Sequence, residues 1–271
     1  MVNLPGRFEM IAVRKSGRVA SLLLSLLCAA LPGLAQKPRI RVAAAADLQS
    51  AMPEIAKDFE SRSGVGVEIV YGSSGNFFAQ IQNGAPLDVF FSADSEYPRK
   101  LEQGGFADVH SSKAYGFGRL VLWMPANARC NLEQSGWKCL LDASVKKIAI
   151  ANPEHAPYGR AAIAAMQKAG LYEQLKSKLV YGENISQAAQ FVQSGNAQAG
   201  ILAYSLALSE ALSSGKRWEI PAELYPPIEQ RAIVLKSARE QSAAKEFVDF
   251  VTQGPGREIL TKFGFQPPRM N

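Results

Sequence analysis

The stretch YGSSGN, Tyr71 to Asn76, sets two hydroxyls between two glycines, after the β-branched run VEIV and ahead of the mixed apolar run FFAQIQNG. A strand that turns into a helix here presents first-turn amides with no intrahelical partner, and glycine lets backbone come close to a ligand. Those amides carry partial positive charge, so the turn suits a small anion as well as a helix cap. The other strand-to-helix junctions are Ala46-Asp47, Ala93-Asp94, Ala156-Pro157-Tyr158, Asn184-Ile185 and Ala203-Tyr204-Ser205. None is lysine or arginine, so an anion held there would be bound by neutral donors. Each residue also has a purely structural use: Ser73, Ser74, Asp47 and Asp94 as N-caps, Tyr158 as a helix start. Spacing alone does not separate the two uses.

The elements that must position these junctions alternate short β-rich runs with amphipathic ones, the pattern of an α/β fold with mainly parallel sheets. Strands are expected at 40–46, 66–71, 87–93, 118–124, 146–151, 179–182, 199–204 and 231–236. Helices are expected at 47–59, 76–83, 95–103, 158–168, 186–194, 240–252 and 255–263; in the first, Leu48, Met52, Ile55, Ala56 and Phe59 share one face. The stretches 125–140 and 213–230 read as irregular, the second as an extended crossover because of Pro221, Pro226 and Pro227. The chain therefore divides into one lobe of 36–119 with 233–271 and another of 120–232, joined by two crossovers. That arrangement makes a hinged cleft, and in open α/β sheets a ligand sits at the carboxyl ends of the strands.

Arg14, Lys15 and Arg18 precede the apolar run VASLLLSLLCAAL and then PGLAQ, with Gly33 and Ala35 at the positions a signal peptidase reads. Residues 1–35 are thus expected to be a secretory signal, too short in its apolar part to span a bilayer comfortably. Cys28 raises a lipid anchor, but bulky Leu27 before it favours a soluble, exported product. The chain carries 30 basic and 24 acidic residues; losing Arg7, Arg14, Lys15, Arg18 and Glu9 with the signal leaves a net charge of +3. No basic cluster is interleaved with aromatics, which argues against nucleic acid. In an oxidising compartment Cys130 and Cys139, with eight residues between them in CNLEQSGWKC, suggest a disulfide, with two free thiols as the alternative. His110 and His155 are too few and too scattered for a metal site.

VAAAADLQSAMPEIAKDFE, GAPLDVFFSAD, IANPEHAPYGRAAIAAM and ENISQAAQFVQSGNAQAGILA together resemble the periplasmic molybdate-binding proteins of ABC importers, over nearly the whole exported chain. The resemblance implies a two-lobed type II periplasmic-binding-protein fold. It also implies an oxyanion, molybdate or tungstate, gripped between the lobes by hydroxyls and amides with no cationic side chain. Carried over position by position, the ligand residues are Ala46, Asp47, Ser74, Tyr158 and Ile185, while Tyr204 stands one place past a tyrosine that some members use. No cofactor and no direct metal ligand are implied. The expected partner is an ABC permease in the inner membrane, and the protein itself is expected to be a periplasmic monomer.

Asp47 departs from the pattern, since relatives carry serine or asparagine there and an ionised carboxylate cannot donate. Against a dianion it would be repelled by several kcal/mol at roughly 4 Å and an effective dielectric of about 20. The expectation is that its side chain turns away to cap the helix and only its amide meets the ligand. The other option is a proton shared with the anion, which would favour phosphate-like ligands. Two competing functions are a binding protein for phosphate, sulfate or a small organic acid, and a secreted serine hydrolase using GSSG as its nucleophile turn. The hydrolase lacks G-x-S-x-G and has only two candidate imidazole bases.

Overall fold

Val42 and Ala44 bury against one face of a sheet and Ala43 against the other, and the same split separates Phe91 from Phe90 and Ala232 from Ile233. Strands covered on both faces read as continuous apolar runs rather than alternating ones. The computed structural model describes residues 37–268, so the expected signal and Cys28 lie outside the described residues. Ten strands are named: β1 Arg39–Ala45, β2 Gly66–Gly72, β3 Val89–Ser92, β4 Lys113–Gly118, β5 Leu120–Met124, β6 Ile148–Ala151, β7 Leu179–Gly182, β8 Ala199–Ala203, β9 Lys216–Glu219 and β10 Ile228–Val234.

They form two five-stranded sheets of one design, in the orders β2-β1-β3-β10-β4 and β7-β6-β8-β5-β9. In each sheet a parallel trio is joined to an antiparallel pair, with β10 antiparallel to β3 and β4, and β5 antiparallel to β8 and β9. The sheets are therefore mixed, because each lobe borrows a strand whose chain direction is set by the crossing between lobes.

The expected strand 118–124 is in fact two strands in two sheets, broken at Arg119. Likewise 213–230 is no bare crossover: it holds β9, a turn of 3-10 helix at Ala222–Leu224 and the start of β10. A boundary between 232 and 233 cuts β10, which lies wholly in the first sheet, so the return crossing runs ahead of Ile228. The stretch 125–140 is likewise partly ordered, with a short helix at Leu132–Ser135 and 3-10 helix at Gly136–Leu141.

The Cys130–Cys139 disulfide forms there, with Cα atoms 5.6 Å apart. A bridge closing so short a loop restricts the unfolded chain modestly. Replacing both cysteines with alanine is expected to cost about 2–3 kcal/mol in urea unfolding.

Candidate functional site

Three helices point their amino ends into one narrow cavity whose walls include Ala46, Asp47, Ser74, Tyr158 and Ile185, the five residues expected from the sequence. What each helix start leaves unpaired decides what the cavity offers. In the helix Ile185–Gln193 the Asn184 side chain accepts from the amides of Ser186 and Gln187, which leaves the Ile185 amide. In the helix Pro157–Lys168 the first residue has no N–H and the Gly159 amide is spent on the Ala156 carbonyl, which leaves Tyr158. In the helix Ser74–Gln82 the Gly75 amide donates to the His155 carbonyl at 2.9 Å, which leaves the Ser74 amide. The Ser74 hydroxyl accepts from the Ala93 amide at 2.9 Å, so its own proton is directed elsewhere.

These residues are almost fully buried: Ser74 is 1% exposed and Asp47 0%. The cavity is about the size of one water molecule, so seating a tetrahedral oxyanion requires the lobes to part slightly. A roomier surface groove is walled by charged residues such as Asp108, Lys113, Lys236 and Asp249.

Tyr158 is brought in, but with its hydroxyl turned away: it donates to Asp47 Oδ2 at 3.0 Å. Gln230 Nε2, from β10, donates to the same Oδ2 at 2.6 Å and to the Tyr158 hydroxyl at 3.1 Å. Asp47 was expected to cap its helix; instead the 3-10 turn Ala46–Leu48 has no side-chain cap, and the carboxylate is held by side chains from a helix and a strand distant in sequence. The Asp47 carbonyl accepts from the Ser205 hydroxyl at 2.8 Å. Burial pushes the Asp47 carboxyl up to about 7, against the pull of the Gln230 and Tyr158 hydrogen bonds. Burial, reinforced by the Asp47 charge, likewise lifts the Tyr158 hydroxyl well above its ordinary range.

Ser73 begins its helix without capping it, and its hydroxyl meets His155 Nδ1 at 3.0 Å across the cleft. Asn76 with Glu183, Gln49 with Ser186, and Asp94 with Arg160 (2.6 Å) span the same gap. Asp94, given only a cap role, thus also takes part in an ion pair between lobes. Tyr204 is not in the cavity wall; its ring lies under the Arg119 guanidinium at 4.0 Å.

Sequence reasoning missed Gln230, which sat in a stretch read as crossover, and Gly118, which makes room for the network. A Cβ on Gly118 would lie 2.1 Å from the Tyr158 hydroxyl oxygen and 2.6 Å from Gln230 Nε2. Gly118→Ala is therefore expected to dislodge the Tyr158 ring and lower stability by about 1–3 kcal/mol, read by thermal unfolding. The raised Asp47 pKa sets a second expectation. Its stabilising contribution is fully present below about pH 4 and is lost as pH rises through about 7, since the folded state binds the extra proton between those values. Asp47→Asn, which needs no proton, is expected to gain about 2–4 kcal/mol on the wild type between pH 4 and pH 8 in urea titrations.

Residues 40–266 match the family of bacterial extracellular solute-binding proteins. The molybdate-binding protein ModA of Rhodobacter capsulatus is 40% identical over 246 residues, covering 91% of this chain and 94% of that protein. ModA of Azotobacter vinelandii is 38% identical, covering 91% and 97%. The solved structure of the Azotobacter vinelandii periplasmic molybdate-binding protein superposes with a TM-score of 0.79 at 35% identity, over 85% of this chain and all of that one. With the two mixed sheets and the cleft between them, these matches place the chain in the bacterial extracellular solute-binding protein family.

Proposed function

We propose that the protein captures molybdate or tungstate between its lobes, in the periplasm, and presents it to an ABC permease. The observation that carries this reading is the convergence of the free Ser74, Tyr158 and Ile185 amides and the Ser74 hydroxyl on one cavity with no cationic side chain in its wall. Neutral donors, each fixed at its own helix start, replace the water stripped from the ion once the lobes have opened to admit it and closed again. They would meet the oxygens of the anion, and none would ligate the metal itself. Ala46 and Asp47 would add backbone from the end of β1.

Selectivity then rests on cavity size, because sulfate brings the same charge in a smaller shell. Lobe closure would turn on Arg119 and the segment 220–227, and would shape the surface the permease reads. The protein would act as a monomer, without cofactor and without covalent chemistry. Similarity to the ModA proteins supports the ligand and the transport role.

One contact favours a different reading: Ser73 Oγ lies 3.0 Å from His155 Nδ1, with His155 Nε2 4.0 Å from Glu183. As a nucleophile and its base this pair is poorly placed, since Ser73 is 4% exposed and the two residues stand on opposite sides of the cleft. A serine-directed acylating probe is expected to leave the protein unlabelled; labelling at Ser73 would establish the hydrolase.

Calorimetry and thermal shift with an oxyanion panel are expected to show tight molybdate and tungstate binding and weak sulfate binding; comparable sulfate affinity would overturn the size argument. Ser74→Ala removes a donor to a charged ligand and also strands the Ala93 amide. It is expected to weaken molybdate binding by about ten- to a hundredfold.

A further inference from the structure

The network beneath the cavity is short of one proton. Its three donor hydrogens, the Tyr158 O–H and the two on Gln230 Nε2, are all spent on Asp47 Oδ2 and on the Tyr158 oxygen. Two fully buried acceptors, Asp47 Oδ1 and Gln230 Oε1, are left without any donor. An ionised carboxylate in such a place needs a cation or donors on both oxygens; Asp47 makes no ion pair among the described residues, and both of its side-chain donors reach Oδ2.

The groups around it do not supply one. The strand β4 brings Tyr115, buried and donating to the Ser92 carbonyl. Beyond it lies Asp94, a second acid whose charge is answered by Arg160. The helix Ile185–Gln193, packed on the Asp47 turn, carries no ionisable side chain. The helix Tyr204–Ala207 brings only Tyr204, and the Arg119 above its ring is paired with Glu219. The strand β2 brings Glu68 and Tyr71, and β10 brings Arg231, held by Glu229 and Ser112.

Resting on the oxyanion reading above, we infer that Asp47 enters the closed complex as a neutral carboxylic acid, so that the site takes up one proton with each doubly charged anion. The proton comes from solvent and sits on a carboxylate oxygen; no bond to the ligand forms or breaks. Asp47 is then a specificity-determining residue. As an acid it becomes a donor, it removes a negative charge from beside the ligand, and it rewards ions that arrive as dianions. The high proton affinity that burial gives the free protein is in the same direction, and an anion in the cavity raises it further.

The test is calorimetry of molybdate binding to the full exported chain at about pH 8.5, in buffers of different ionisation heat, with the affinity followed down to about pH 6. Uptake approaching one proton per anion is expected, with affinity falling up to about tenfold per pH unit above neutrality. Asp47→Asn is expected to bind with no proton uptake and with an affinity flat across the same range. Molybdate binding by the wild type without proton uptake, or an unchanged pH slope in Asp47→Asn, would overturn the inference. Should that variant fail to fold, difference infrared spectroscopy of the wild type decides: a protonated-carboxyl C=O band gained on adding molybdate at pH 8.5 supports the inference, and no gain overturns it. Failure to bind molybdate at any pH is a different result, which removes the oxyanion reading itself and the inference with it.

Discussion

The first-turn amides of an α-helix have no partner within the helix, and this chain deliberately leaves some of them free. At Asn184 the cap side chain satisfies the second and third amides and spares the first. At Pro157 the missing N–H and the Ala156 carbonyl dispose of the neighbours and spare Tyr158. At Ser73 the cap oxygen is turned to His155 and the Gly75 amide is spent on the His155 carbonyl, while the Ser74 amide, beyond the reach of any cap side chain, stays open. An N-cap side chain reaches only the second or third amide, so even the ordinary cap at Asn184 leaves the first amide to an anion. The two-sheet architecture is what brings such helix starts to face one another.

That opposition is held by contacts between residues far apart in the chain. Gly75 is needed where it stands because a Cβ there would meet the His155 carbonyl oxygen at 2.7 Å, closer than the backbones allow. The Asp94–Arg160 ion pair and the Tyr97 ring beside that guanidinium add a polar clasp at the cleft edge. A partly exposed pair of this kind contributes little to overall stability, and its value lies in orienting one lobe on the other.

Beneath the cavity the logic is reversed. Above, donors lack acceptors; below, around Asp47 and Gln230, acceptors lack donors. Asp47, Tyr158 and Gln230 come from the end of β1, a helix of the second lobe and the returning strand β10, so a change in the protonation of one carboxyl is felt where the lobes and one crossing meet. The repeated sheet design explains how one short chain arranges this: each lobe places its parallel trio with the strand ends toward the cleft, and the antiparallel pairs carry the crossings.

Much of this was legible in the residues themselves. Apolar runs of strand length, helical spacing such as Leu48, Met52, Ile55 and Phe59, and glycine, serine and proline at the junctions are local signals, and they located most elements; the five residues picked out by resemblance all line one cavity. The disulfide pairing followed from there being only two cysteines past the expected signal. What the sequence could not disclose depended on distant partners. The run 118–124 is uniformly strand-like, and only pairing in two different sheets breaks it at Arg119. Asp47 looks like a cap because capping is a local interaction, yet its carboxylate is claimed by Tyr158 and Gln230, 111 and 183 residues away. A single glutamine on a strand carries no local mark, and its importance comes from burial beside a carboxylate, which only the folded chain creates.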